Sequence, residues 1–374
     1  MNVAELRLRE FRNYAEEAVG FAPGLNLVLG RNGQGKTNLV EAIYVLCGLG
    51  SHRGATGEAM VRHGAMESII SASGSAAGRE VRVDAQVRRS GGTRLVVNRV
   101  AADRAVGPPP LVAVAFSPDD LVLIKGPPEE RRRLLDQGAH RLRTLAGSER
   151  QEFERVLKQR TGLLKAAVNS RRALATLDVW DESFARTGAV VVRNRLDVVH
   201  RLVGRVRMRY RELSGLEVEV RLNYRPTWAE GVSEEMVGPG GVELIASALR
   251  TAVAGCRPRD LERGVSTLGP HRDDLEVSLG GTDARLYASQ GEQRSLALSL
   301  RMAERDLVAD ARDESPILLL DDIFSELDEN RRGRLVAMVA GSGQTIATAT
   351  SAAGWPLAVE RTLTVDAGRV TAGG

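Results

Sequence analysis

Gly30-Arg31-Asn32-Gly33-Gln34-Gly35-Lys36-Thr37 decides the reading of this chain, because it satisfies every fixed position of G-x-x-x-x-G-K-[ST]. Its flanks matter as much as the motif. Leu25–Leu29 reads as a short apolar strand, and from Lys36 the apolar positions Leu39, Val40, Ile43 and Leu46 recur at helical spacing until Gly48 and Gly50. A strand feeding a helix through a Gly-rich turn aims backbone N–H groups at phosphates. Lys36 then faces the β/γ oxygens, and the Thr37 hydroxyl serves Mg²⁺. The plainer alternative is a Gly-rich turn carrying an exposed lysine.

Such a loop needs a carboxylate on a neighbouring strand to hold the metal. Ile317-Leu318-Leu319-Leu320-Asp321-Asp322 supplies four apolar residues for a buried strand and two acids at its carboxyl end, the side on which α/β sheets bind ligands. Asp321 is assigned to Mg²⁺ through water, and Asp322 to polarising an attacking water. Either acid would also serve as the N-cap of the turn that follows.

Working outward, Val3–Leu8 and Glu17–Phe21 read as strands, as do Glu80–Val87, Arg94–Val97 and Leu111–Phe116, with turns at Gly91-Gly92 and Gly107-Pro108-Pro109-Pro110. From about Leu121 to Leu213 the chain is charged and helix-periodic, broken at Gly126-Pro127-Pro128 and Gly147-Ser148. A strand-like Glu217–Asn223 and a helix near Glu243–Ala254 follow. Strand patterns return at Leu275–Leu279 and Ala284–Tyr287, then helix Gln290–Leu307, the acidic strand, helix Asn330–Val339, strand Thr345–Ala349 and a hairpin around Gly368. The expectation is one α/β domain built from both chain ends, residues 1–116 and 265–374, with a mainly helical lobe, 117–264, inserted between them.

The 374 residues carry 52 Lys+Arg against 48 Asp+Glu and are 43% apolar, enough for a sizeable core and against wholesale disorder. Two cysteines are too few for a disulfide framework or a four-ligand zinc site, which points to a reducing compartment. No stretch approaches the roughly 18 unbroken apolar residues of a membrane span, and the charged opening residues do not suit a signal peptide.

Several further segments make a family recognisable. Ser289-Gln290-Gly291-Glu292-Gln293 opens a helix and resembles the signature motif of ABC-type ATPases, and Ser325-Glu326-Leu327-Asp328 resembles their D-loop. Together with Phe11-Arg12-Asn13-Tyr14, Phe116-Ser117-Pro118-Asp119-Asp120-Leu121, Gly269-Pro270-His271-Arg272-Asp273-Asp274-Leu275 and Tyr287-Ala288-Ser289-Gln290-Gly291, they resemble the RecF family of recombination mediators from end to end. The resemblance implies an ABC-type P-loop ATPase head that sandwiches two ATP molecules between two subunits. It implies a weak, DNA-associated ATPase of the cytoplasm, a homodimer on ATP, clamping duplex DNA near single-strand/double-strand junctions. Gap repair, recombinase loading with RecR and RecO, and the SOS response belong to the same expectation.

In that picture Ser289 and Gly291 contact nucleotide held by the other subunit; a plain helix N-cap is the alternative for Ser289, and the two roles are compatible because a capped helix end is also an anion site. Arg12 is placed near the nucleotide, against the alternative of an exposed turn arginine. His271 and Arg272 match the pattern without a physical role. Many ABC ATPases carry Glu where this chain has Asp322, which implies slow turnover. The glutamine and histidine that transporter ATPases use as γ-phosphate sensors are absent; Thr348 or Thr350 are the candidates for the second role.

Seven arginines against Asp197 alone lie between Arg193 and Arg211. As a helix, this segment places Leu196, Val199, Val203, Val206, Tyr210 and Leu213 on one face and Arg201, Arg205 and Arg209 on the other. The stripe is assigned to DNA phosphates, with Arg131-Arg132-Arg133, Lys158, Arg160, Arg171 and Arg172 extending it; a solvated basic face is the alternative. Few aromatics accompany these arginines, which favours phosphate contacts with duplex over stacked single strands. Two rivals remain, a transporter ATPase subunit, which leaves the helical insert unexplained, and a small-molecule kinase, which leaves the signature segment unused.

Overall fold

The computed structural model describes residues 1–101, 109–167, 171–352, 355 and 358–373, leaving out the side chains of residues 171–173, 234, 325 and 326. Gly107 and Pro108 of the expected turn, and the side chains of Arg171, Arg172, Ser325 and Glu326, therefore lie outside the described residues. The chain forms two compact units. One comprises Met1–Leu121, Met208–Leu216 and Arg294–Gly374; the other comprises Val122–Arg207 and Glu217–Gln293. The chain passes between the units after Leu121, inside helix Arg171–Ser214, just beyond that helix at Leu216, and inside helix Gln290–Arg312.

The first unit has a mostly parallel six-stranded sheet in the order Arg369–Ala372, Arg361–Asp366, Leu25–Leu29, Thr345–Ala349, Ile317–Asp321, Ala113–Phe116. Only the hairpin Arg361–Asp366/Arg369–Ala372 is antiparallel. The period-2 alternation of strand side chains sorts its residues onto two cores. Val28, Ala113, Ala115, Ile317, Leu319 and Ile346 face one, packed with the helix Lys36–Tyr44. Leu27, Val114, Phe116, Leu318, Leu320 and Ala347 face the other, packed with Leu298, Met302, Leu335 and Val339 of helices Gln290–Arg312 and Glu329–Val339. Burial on both faces is why Ile317–Leu320 reads as an unbroken apolar run.

An antiparallel six-stranded sheet, Tyr14–Gly20, Asn2–Phe11, Glu67–Ala76, Arg79–Arg88, Thr93–Val97, Val100–Ala101, covers the first of these cores. Glu67–Ala76 is a long strand that the sequence reading did not expect. Its run of serine, alanine and glycine has low strand propensity, and pairing on both sides with Asn2–Phe11 and Arg79–Arg88 makes it a strand.

The second unit is mainly helical, with Pro128–Leu142, Ala146–Ala167, most of Arg171–Ser214 and Gly241–Arg263 beside a small sheet of Val220–Arg225, Asp274–Leu279 and Thr282–Asp283. The helices break at residues 143–145, just before Gly147 and Ser148 in the first turn of Ala146–Ala167, and Gly241–Arg263 continues through Pro258. Ala284–Tyr287 is one turn of helix rather than a strand, because Asp283 caps it by accepting the Arg285 N–H. Among the described residues no helix is long and apolar enough to cross a membrane.

Candidate nucleotide-binding site

The P-loop follows strand Leu25–Leu29 and opens helix Lys36–Tyr44. Gly33 and Gly35 take φ of 80° and 122°, which side chains rarely adopt; a Cβ on Gly35 would also sit 2.8 Å from the Asn13 amide and 2.9 Å from the Tyr14 hydroxyl. Those neighbours brace the loop. Asn13 Nδ2 donates to Gln34 O at 2.8 Å, and Tyr14 donates to Gly35 O at 3.0 Å. From the other end of the chain, Ala367 N donates to Gln34 Oε1 and Gly368 N to Gln34 O. The Phe11–Tyr14 motif is thus, physically, a bracket for the loop.

Lys36 Nζ reaches back to donate to the carbonyls of Gly30 at 2.7 Å and Arg31 at 3.1 Å. Burial lowers its pKa from the ordinary lysine value, opposed by the charges of Asp322 and Asp321. The two acids stand where the parallel strand emerges. Asp321 Oδ1 accepts from the Thr37 hydroxyl at 3.0 Å and from the Thr348 hydroxyl at 2.8 Å. Burial raises its pKa, against the two hydroxyl bonds and with the help of Asp322. Asn32, Gly33, Gly35, Lys36, Thr37, Asn38, Arg53 and Asp322 line an open cleft of about 310 Å³.

The donor set fits Mg²⁺. A hydroxyl and a buried carboxylate already meet beside the loop, both hard oxygen donors. Among the described residues no cluster of three or more His, Cys, Asp or Glu side chains forms, so the remaining ligands would come from phosphate and water, as Mg²⁺ prefers.

Arg12, expected near the nucleotide, reaches the helix that the P-loop opens. Its guanidinium forms two 2.8 Å bonds to the fully buried Glu41 of the P-loop helix and a third, through Nη1, to Ala59 O. Burial pushes the Glu41 carboxyl up, but the bonds from Arg12 and Ser51 outweigh it and hold the group below its ordinary value. The arginine that lines the cleft is Arg53, whose N–H donates to Ser51 Oγ, while Ser51 donates to Glu41. No motif surrounds Arg53, and Glu41 looks like any polar helix position, so neither was legible.

Ser289 and Gly291 lie in the second unit. Ser289 and Glu292 form a capping box: Ser289 N and Oγ donate to Glu292 Oε2 at 2.8 and 2.7 Å, and Glu292 N donates back to Ser289 Oγ at 3.3 Å. The N-cap role is therefore present.

The arginine stripe is less uniform than its spacing. Arg201 is exposed and pairs with Asp197 one turn earlier; Arg205 bonds the Arg201 carbonyl. Arg209 instead donates to Asp306 at 2.6 Å and Glu212 at 2.7 Å, with its side chain only 18% exposed. Arg131 and Arg160, expected on the same surface, are buried: Arg131 clasps Asp274, and Arg160 bonds Asp181, Asp260 and Ser266. A buried guanidinium requires partners, and acids distant in sequence supply them.

The family model described as RecF/RecN/SMC N terminal domain matches residues 2–362. The chain is 40% identical over 385 residues to the DNA replication and repair protein RecF of Beutenbergia cavernae, covering 96% of each. It is 41% identical over 363 residues to that of Leifsonia xyli subsp. xyli, covering 93% of each. The chain belongs to the RecF family. A solved structure of the recombination mediator RecF with ATP, in the RecFOR pathway, superimposes with a TM-score of 0.90 at 28% identity, over 100% of this chain and 97% of that one. An Smc head bound to a winged-helix domain of ScpA shares the fold alone, with a TM-score of 0.54 at 17% identity. The fold is therefore the ABC-type head of RecF, assembled from both chain ends, with an inserted mainly helical lobe.

Two other segments on which the RecF resemblance rests have structural work. Asp120 is buried, accepts the Ser117 N–H and pairs with Arg301. Asp273, also buried, accepts from Tyr224, the Thr227 N–H and hydroxyl, and Trp228. His271 packs against Phe153 and Phe184 with Nε2 3.1 Å from Ser266 O.

Proposed function

We propose that the cleft binds ATP with Mg²⁺, and that the chain is an ATP-dependent DNA-binding protein of recombinational repair, in keeping with the DNA replication and repair role named for its relatives. The observation that carries this is the 3.0 Å contact between Thr37 and Asp321, residues 284 apart in sequence, beside the P-loop lysine. Lys36 exchanges its two carbonyl partners for phosphate oxygens. Thr37 and Asp321 hold the cation, which when bound neutralises phosphate charge. Loop N–H groups from Gly30 to Thr37 receive the phosphates, and Arg53 adds a positive charge to the same cleft.

Asp322 orients the attacking water as a hydrogen-bond acceptor, and its short side chain makes turnover slow, suiting a switch. Ser289 and Gly291 meet the nucleotide of a second subunit, so ATP joins two copies into a homodimer around duplex DNA. Arg201 and Arg205 contact duplex phosphates. Junctions between single and double strands, RecR and RecO as partners, support of recombinase loading and the SOS response, and a cytoplasmic setting complete the proposal. The transporter reading gains nothing from relatives that are DNA replication and repair proteins over nearly their whole lengths.

Duplex binding measured with ATP, ADP and no nucleotide, together with molecular mass, tests this reading. ATP alone should double the mass and tighten DNA binding; mass and affinity indifferent to nucleotide would refute it.

A further inference from the structure

Thr348 touches both acids of the cleft at once. It lies opposite Asp321 in the parallel pairing of Ile317–Asp321 with Thr345–Ala349 and is 1% exposed. Its hydroxyl donates to Asp321 Oδ1 at 2.8 Å and accepts the Asp322 N–H at 2.9 Å. One hydroxyl has a single proton and two lone pairs, so both bonds coexist without competition. The first, with Thr37, directs two hydroxyls onto Oδ1 and fixes the rotation of the carboxylate. The second holds the backbone at Asp322, which leaves the strand at φ 50°, ψ 24°, a left-handed conformation uncommon for residues other than glycine, though Asp takes it more readily than most.

We propose that Thr348 is the positioning residue of the acid pair. Its hydroxyl orients Asp321 toward the nucleotide-borne cation and pins the turn that brings Asp322 to the cleft wall. This rests on the reading of the cleft as an ATP site. Thr348, one of the two candidates for the γ-phosphate-sensing role, is buried, and its hydroxyl bonds both acids. The same orienting bonds recur wherever a protein carboxylate serves a metal, and their loss typically costs about 10–100-fold in metal affinity.

The test measures equilibrium binding of a fluorescent ATP analogue as Mg²⁺ is titrated from EDTA, for the full chain and the variants Thr348→Val and Thr348→Ser, with thermal unfolding alongside. Valine matches threonine in shape without the hydroxyl; serine keeps the hydroxyl. The three proteins should bind equally in EDTA. The half-saturating Mg²⁺ should rise about 10–100-fold in Thr348→Val and return to near the parent value in Thr348→Ser. An unchanged Mg²⁺ midpoint in Thr348→Val overturns the proposal, as does an affinity that falls equally with and without Mg²⁺, the mark of a merely structural residue. Should Thr348→Val not fold, Thr348→Cys, with its weak donor, carries the same comparison. Absence of ATP binding by the parent chain refutes the nucleotide reading itself, and this inference with it.

Discussion

Gln34 Oε1 accepts the main-chain N–H of Ala367 at 2.6 Å, across 333 residues of sequence. The first strands and the last hairpin of the chain therefore converge on one P-loop residue, whose carbonyl also accepts from Asn13 and Gly368. A loop that must present its N–H groups at fixed positions gains that fixity from supports outside itself.

Gln34→Ala should accordingly weaken ATP binding several-fold while the fold loses about 1 kcal/mol or less, since the carbonyl bonds remain. Gly368→Ala should cost more stability, because its φ is 75° and the new Cβ would sit 2.6 Å from Asn13 O. Fluorescent-nucleotide titration and thermal unfolding on the two variants check both statements. Unchanged ATP affinity in Gln34→Ala would remove the brace from the mechanism.

Lys36→Ala should abolish ATP binding and, with it, dimerisation and hydrolysis. The unliganded fold should change by no more than about 1 kcal/mol, because the lost carbonyl bonds are offset by release of a cation from a buried position. A variant that still hydrolyses ATP at the parent rate would contradict the assignment of the cleft.

Holding ATP and hydrolysing it should separate at Asp322 and Ser289. Asp322→Asn keeps the size but not the anion, so the ATP-bound dimer should persist and release DNA more slowly. The Ser289 capping box makes a control necessary. Ser289→Ala removes only the cap, with a cost of about 1 kcal/mol and dimerisation retained, whereas Ser289→Arg should leave monomers that still bind ATP. Normal ATP-dependent dimerisation of Ser289→Arg, seen by light scattering, would end the in-trans role.

What the sequence disclosed, and what it withheld, follows from locality. The P-loop and the acidic strand were legible because a Gly-rich turn and an unbroken apolar strand are local patterns. Thr37 and Asp321 could be paired by motif. Arg12 and Glu41, Arg209 and Asp306, and Arg160 and Asp260 could not, since nothing local distinguishes an arginine that will find a buried acid from one that will face solvent. The strand Glu67–Ala76 was hidden for the same reason: its neighbours in the sheet, not its composition, make it extended.

Stability should fall as pH drops below about 6.5. Burial lowers the pKa of His52 and of His271 to about 4, so both stay neutral in the folded chain while the unfolded chain takes up protons. Between pH 4 and 6.5 the unfolded state binds more protons; stability therefore rises with pH through that window, by up to roughly 1.4 kcal/mol per pH unit for each histidine. His271→Phe, which keeps an aromatic ring beside Phe153 and Phe184, should flatten the profile. Denaturant unfolding at several pH values, with an unaltered slope in the variant, would assign the effect elsewhere.

The arginines of helix Arg171–Ser214 should divide into two classes when DNA binding is measured against salt. Arg201 is exposed and Arg205, one turn further along the helix, is half-buried with Nη1 donating to the Arg201 carbonyl, so Arg201→Ala with Arg205→Ala should reduce the log K versus log[salt] slope by about two, similarly for unrelated duplex sequences. Arg209→Ala should act differently. It removes the 2.6 Å partner of Asp306, 14% exposed, which keeps a 3.3 Å contact with Arg305, and this should cost about 1 kcal/mol of stability and leave the slope unchanged. A solvated-face origin of the stripe makes the opposite forecast for the double variant: no change of slope, and stability within about 0.5 kcal/mol of the parent. Duplex titrations with ATP at four or five salt concentrations, run beside thermal unfolding of the same proteins, therefore separate a phosphate-contacting pair from a helix whose charges merely meet water, and an unchanged slope in the double variant would move the DNA path to another surface.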